Sequence, residues 1–259
     1  MYVQAEFDRS YMGVVFEAPG NSFRVGVYPF YNDYSAEMAG DLRLQIKPTL
    51  DIIRAMGLPL LIVDDVEADD VIGTLARQAT EQGIDTLVST GDKDMAQLVN
   101  DHVTLINTMT DTLLDAQGVQ RKFGVRPDQI VDFLALTGDS VDNIPGVPKC
   151  GPKTAAKWLC QYQTLDELMA RAAEVKGTVG ESLRASLENR PRSRTRTRIK
   201  TDVDLPLGPR DLCPGDGEPD VLRELYQRLE SRRLLASLDD QPADGGDARV
   251  ASEASYETL

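Results

Sequence analysis

Strand-like and helix-like segments alternate through the first half of the chain, and this alternation restricts the fold more than any other feature. "MGVVFE" (12–17) is short, apolar and β-branched, which predicts a buried strand. "DLRLQIKPTLDIIRAMG" (41–57) repeats apolar residues at helical spacing through Leu42, Ile46, Leu50, Ile53 and Met56. Pro48 is expected to break or kink that helix, and Gly57 to cap it. "LPLLIV" (58–63) predicts a second strand. "EADDVIGTLARQATEQG" (67–83) predicts a helix with Val71, Ile72, Leu75 and Ala79 inward and Gly83 as its stop. "DTLVST" (85–90) and "VTLINT" (103–108) predict a third and a fourth strand. Strand, helix and strand joined by short connections make a βαβ unit, hence parallel strands and a right-handed crossover. The expected class is α/β, a mostly parallel sheet flanked by helices.

Ligands of such sheets bind beyond the carboxyl ends of the strands. Glu17 ends the first strand, Glu67, Asp69 and Asp70 follow the second, and Asp92 and Asp94 follow the third. Acids far apart in sequence are therefore expected to meet on one edge. Each group alone also reads blandly: acids at a helix N-terminus oppose the helix dipole, and "GDKD" can be a polar turn. Together they repel, and without a cation some must take up protons. A further pair, Asp139 and Asp142 in "GDSVDN", lies three residues apart and so on one side of a helical turn. With a single histidine, His102, zinc is excluded in favour of Mg²⁺ or Mn²⁺. Two acidic groups suggest two ions, roughly 3.5–4 Å apart in enzymes that cleave phosphodiesters.

From Pro127 the pattern turns helical, with segments expected at 127–138, 152–162, 164–173, 178–189 and 219–236. Between the first two lies "NIPGVPKCG". Gly146 and Gly151 bracket a tight connection, and Lys149, Lys153 and Lys157 cluster where the 152–162 helix exposes its first N–H groups, an anion site. The arrangement resembles a helix-hairpin-helix, which grips DNA phosphates without reading bases. It lacks the Gly-Lys-Ser/Thr ending of a nucleotide-binding loop, so an ATPase is not expected. The formal net charge of −14 argues against a nucleic-acid partner unless acids and bases are segregated. "RPRSRTRTRIK" (190–200) reads either as a track for a phosphate backbone or, by a small margin, as a solvated mobile linker. No apolar run is long enough to span a membrane, no secretory signal is evident, and three cysteines without C-x-x-C spacing fit free thiols in the cytoplasm. The expected organisation is an acidic α/β core at 1–126, a helical region at 127–238 and a disordered tail at 239–259.

"VEADDVIGTLA", "STGDKDMAQLV", "LINT", "FLALTGDSVDNIPGVP" and "IKTDVDL" resemble, in order, the 5′-nuclease domain of bacterial DNA polymerase I, kin to the flap endonucleases. The resemblance runs from about Met12 to Leu238. It implies a PIN-like nuclease core and Mg²⁺-dependent removal of 5′ nucleotides or flaps from DNA with 5′ ends, flaps or nicks; a monomer is expected, and no protein partner is assigned. It implies that Glu67, Asp69, Asp70, Asp92, Asp94, Asp139 and Asp142 hold metal directly or through neighbours, with Glu17 where the family usually has Asp. Asp70, Asp92 and Glu67 would be catalytic, Arg24 would contact phosphate, and K⁺ has a place at the hairpin.

The chain also departs from the family. The usual opening strand that ends in a catalytic Asp has no counterpart before Val14, so the reading is of a nuclease domain truncated at its N-terminus and without a polymerase portion. Residues 25–38 carry no lysine or arginine where the family has a basic arch. Lys149 stands where the hairpin usually has Gly, which predicts strain. Impaired cleavage is therefore expected, and a DNA-binding remnant that does not cleave is the alternative. A phosphatase with an Asp-x-Asp nucleophile fits less well, because that chemistry wants its two acids directly after the first strand.

Overall fold

The computed structural model describes residues 10–27, 39–139, 143–186 and 190–239, with the backbone alone at 27 and 190–192. The four expected strands form, each shorter than its apolar run. β1 (Val14–Val15) pairs in parallel with β2 (Leu60–Leu61). β3 (Thr86–Ser89) pairs in parallel with β4 (Val103–Asn107), and a short β5 (Thr112–Leu114) adds antiparallel to β4. Among the described residues the strands thus make two small sheets, and β5 extends the second.

Between β1 and β2 run α1 (Phe23–Val27) and α2 (Gly40–Ala55). Contrary to expectation, Pro48 lies inside α2 without breaking it. Proline costs the helix the hydrogen bond to the carbonyl of Leu44, but Leu44 is exposed and water can satisfy that oxygen. α2 ends where the sequence suggests. Gly57 adopts φ +72°, its N–H bonds Arg54 O and that of Leu58 bonds Ile53 O, which is a Schellman closure. Only glycine fits there, since a Cβ would lie 2.5 Å from the carbonyl oxygen of Gly215. α3 (Ala68–Glu81) joins β2 to β3 and closes in the same way at Gly83, φ +66°.

The second half is helical: α4 (Ala116–Phe123), α5 (Ile130–Thr137), α6 (Pro152–Tyr162), α7 (Leu165–Ala170) and α8 (Gly177–Ala185). One continuous core joins it to the second sheet, with Leu105, Leu134, Leu136, Leu159, Leu168 and Leu183 all at most 2% exposed. Each such side chain contributes roughly 1.5–3 kcal/mol. The expected helix at 219–236 is two, α10 (Pro219–Arg228) and α11 (Arg232–Asp239), with Glu230 at φ +53° between them. α10 packs on α2 through Ala55, Leu222, Leu225 and Tyr226.

The basic run is not a mobile linker. Residues Arg190–Thr197 form α9, packed against α5. Ser193 and Thr197, one turn apart, are buried and small enough to let the two backbones approach. The Ser193 hydroxyl donates to Pro145 O at 3.3 Å, and Gln97 Nε2 donates to Thr197 O at 2.9 Å. Arg194 reaches Asp132 at 2.8 Å and Asp166 at 2.7 Å. Of the stretch at 25–38 where the family has its arch, residues 28–38 lie outside the described residues, as do residues 240–259 of the tail expected at 239–259; Asp239 instead ends α11.

Candidate metal-binding active site

The start of α3 gathers four acids. Glu67 is its N-cap, in extended backbone, and the Glu67 N–H donates to Asp70 Oδ2 at 3.2 Å. The first helical N–H, that of Ala68, donates to Glu17 Oε2 at 2.8 Å, so the residue ending β1 is tied to the helix that follows β2. Ser22 Oγ donates to Glu67 Oε1 at 2.8 Å. The parallel β1–β2 pair creates this meeting, by placing both strand ends on one edge. The helix dipole favours negative charge there.

Asp70 and Arg24 are buried against each other. Asp70 is 0% exposed and Arg24 4% exposed. The guanidinium donates to Asp70 Oδ2 at 2.5 Å and Oδ1 at 2.7 Å, and lies 2.9 Å from Glu67 Oε2. It also donates to Arg198 O at 3.1 Å, and the Lys200 N–H donates to Asp70 Oδ1 at 2.8 Å. Both oxygens of Asp70 are taken up by protein donors. In this structure Arg24 clamps Asp70 from within the protein, and Asp70 ties the α3 N-terminus to the segment after α9. Pairing explains the geometry, because a carboxylate buried this fully needs a cation and further donors.

Asp69 is different. Burial, then the charges of Asp92, Glu67 and Asp70, push its carboxyl up to about 7. Burial also raises Glu67, against the opposing pull of Arg24 and Ser22. Asp92 belongs to the turn after β3, where its Oδ1 accepts the Asp94 N–H at 2.9 Å. Asp94 is buried and Asp92 exposed. Asp139 starts the hairpin connection, and Lys93 Nζ lies 2.8 Å from its Oδ2. Burial opposes the Lys93 charge, but Asp139, Asp94 and Asp92 outweigh it and raise the ammonium's affinity for its proton. The structure therefore brings Glu17, Glu67, Asp69 and Asp92 toward one edge and pairs Asp139 with Lys93, whose charge Asp94 and Asp92 also favour. Among the described residues no three such side chains close into a metal-ligating cluster. Asp142 lies outside the described residues.

The hairpin joins α5 to α6. Gly138 (φ +75°) and Gly146 touch back to back: a Cβ on Gly146 would lie 2.3 Å from Thr137 O. Asp139 and Ile144 exchange two backbone bonds, 2.9 and 2.7 Å. Lys149 adopts φ +66°, the strained conformation expected of it, and Lys149, Lys153 and Lys157 are all exposed. Gly151 is the N-cap of α6 and Pro152 its first residue, with no side chain capping the helix.

The chain matches the 5′-3′ exonuclease N-terminal resolvase-like domain over residues 1–124 and the 5′-3′ exonuclease C-terminal SAM fold over residues 125–220. The chain belongs to the 5′-3′ exonuclease family. It is 35% identical over 229 residues to a 5′-3′ exonuclease of Aquifex aeolicus, covering 88% of this chain and 78% of that protein. It is 44% identical over 257 residues to DNA polymerase I of Pseudomonas aeruginosa, covering 95% of this chain and 28% of that one. The exonuclease family's fold is seen in solved structures. A bacteriophage T5 flap endonuclease crystallised with DNA and metal ions matches with TM-score 0.69 at 16% identity, over 93% of this chain and 88% of that one. The catalytic core of Rad2 with DNA substrate matches with TM-score 0.55 at 17% identity, over 86% and 77%.

Sequence reasoning missed Ser22, Lys93 and the Lys200 backbone as parts of this site. Only Lys93 carried a signal, as a lone cation inside "GDKD".

Proposed function

We propose that this 5′-3′ exonuclease relative hydrolyses DNA at 5′ ends, nicks and flaps with two divalent ions, Mg²⁺ or Mn²⁺. The observation that carries the reading is Asp69, a carboxyl that burial, and then the neighbouring charges of Asp92, Glu67 and Asp70, push up to about 7. A divalent cation relieves that crowding, and the donors are all oxygens, which suits Mg²⁺ and Mn²⁺. Metal-bearing T5 structures of the same fold support the assignment. Glu67, Asp69 and Asp92 would hold one ion with Glu17, and Asp94, Asp139 and Asp142 the other. Bound there, the ions would supply Lewis acidity toward the phosphodiester and a reactive water at neutral pH.

The chain's own residues do the rest. Asp70, clamped by Arg24, keeps the α3 N-terminus where Glu67 and Asp69 face the edge. Lys149, Lys153, Lys157 and the N–H groups at Gly146 and Gly151 grip backbone phosphates, with K⁺ at the turn. The chain acts as a cytoplasmic monomer; among the described residues no helix is long and apolar enough to cross a membrane. One observation favours a DNA-binding chain that does not cleave: Asp70 has both oxygens committed to protein donors.

A single-turnover assay on a 5′-labelled flap duplex decides between them. The nuclease reading expects product only with Mg²⁺ or Mn²⁺, and a rate for Asp92→Asn lower by about 100-fold or more. Binding of the flap without product in either metal establishes the other reading.

A further inference from the structure

Among the described residues, Arg24 and Lys93 both face the acids of this site, and they are built differently. Arg24 is buried and bonded to both Asp70 and Glu67. Lys93 comes in from solvent: its side chain is 45% exposed, while that of its partner Asp139 is 4% exposed. A guanidinium locked in a fork stays; a compact ammonium on a flexible stem exchanges.

We propose that Lys93 is a resident counter-cation that holds the Asp139 carboxylate until a divalent ion displaces it, so that the chain's metal requirement is set by competition with its own ammonium. The inference rests on the metal-dependent reading above. A carboxylate as buried as Asp139 is costly without a cation. Lys93 Nζ supplies one at 2.8 Å, and it stands between Asp92 and Asp94, whose charges also favour it there. Asp139 does not depend on that contact for its position, because its backbone exchanges two hydrogen bonds with Ile144. The ammonium can leave and the carboxylate remain in place. Once displaced, the Lys93 stem has open solvent to move into.

The test is a Mn²⁺ titration read as the concentration giving half of the metal-induced rise in melting temperature. Lys93→Met keeps the aliphatic stem and removes the competitor, so the midpoint should fall by about fivefold, the scale of a partly exposed ion pair. Lys122→Met removes an equal charge from an exposed site over the Phe123 ring and should leave the midpoint unchanged. In an Asp139→Asn background the Lys93→Met shift should vanish, since the pair is already broken. A Lys93→Met protein that melts lower without metal but keeps the wild-type midpoint overturns the inference, as does a shift that persists with Asp139→Asn. A wild-type protein with no metal response overturns the metal reading itself and this inference with it.

Discussion

The N-termini of α3 and α6 both concentrate charge at a helix start, and they handle it in opposite ways. At α3 the acids are drawn inward: Asp70 is fully buried, Asp69 and Glu67 are partly buried, and Arg24 is buried with them. At α6 the lysines 149, 153 and 157 all face solvent. The acids must be held at fixed positions against their repulsion, so packing and paired donors surround them. In the proposed reading the lysines meet phosphates that arrive from outside, and their exposure spares them desolvation. Substitutions in the first region should therefore act on stability and metal binding, and those in the second chiefly on DNA affinity, with a stability effect only where the backbone is strained, at Lys149.

The largest effect should come from Arg24→Ala. It leaves Asp70 and Glu67 buried without their cation, and removing one partner of a buried pair costs about 3–5 kcal/mol. Urea unfolding measures it. Arg24→Lys should recover less than half, because a lysine cannot bond both Asp70 oxygens and the Arg198 carbonyl at once. A loss under about 1 kcal/mol, the scale of a surface pair, would erase the contrast between the two regions.

Next in size is the effect of Asp69. Its native carboxyl sits at about 7 against an ordinary 3.8. Between those values the folded chain holds a proton that the unfolded chain has released, so stability falls as pH rises through that window. Without metal, Asp69→Asn should stabilise the protein by on the order of 2 kcal/mol at pH 8 after allowance for solvent screening, and by little near pH 4. A denaturant series at both pH values, in the presence of chelator, reads it. An equal effect at both would show that the Asp69 carboxyl is not raised in the folded chain.

The hairpin should respond more weakly in stability. Lys149 is strained at φ +66°, so Lys149→Gly should gain about 1 kcal/mol while weakening DNA binding. Lys157→Gln should change stability by less than about 0.5 kcal/mol, yet lower the slope of log affinity against log salt by roughly one. An unchanged slope would take Lys157 out of the interface.

Much of this contrast is legible in the chain. Apolar runs of alternating type reveal β1 to β4 and α3, and the acids at the strand ends follow from that topology. Gly57 and Gly83 mark helix ends because a left-handed residue is needed there. What periodicity leaves out is pairing. β5 is three residues long, too short to show a pattern. The arginines of 190–200 alternate with small residues as a solvated linker would. The signal for α9 is instead Ser193 and Thr197 one turn apart, and its burial is decided by α5. Asp70 differs from Asp69 by a single position, yet on a helix that rotates it from the edge into the core, where Arg24 meets it from 46 residues away.

Proton release on metal binding tests the central claim most directly. Calorimetric titration with Mn²⁺ at pH 6.5, repeated in buffers of different ionisation enthalpy, gives the number of protons displaced. If the acidic edge is a metal site, binding must strip the Asp69 proton. The account predicts release of a substantial fraction of one proton at pH 6.5, essentially none at pH 9, and none at either pH for Asp69→Asn. Binding with no proton release at pH 6.5, or no binding at all, would contradict it.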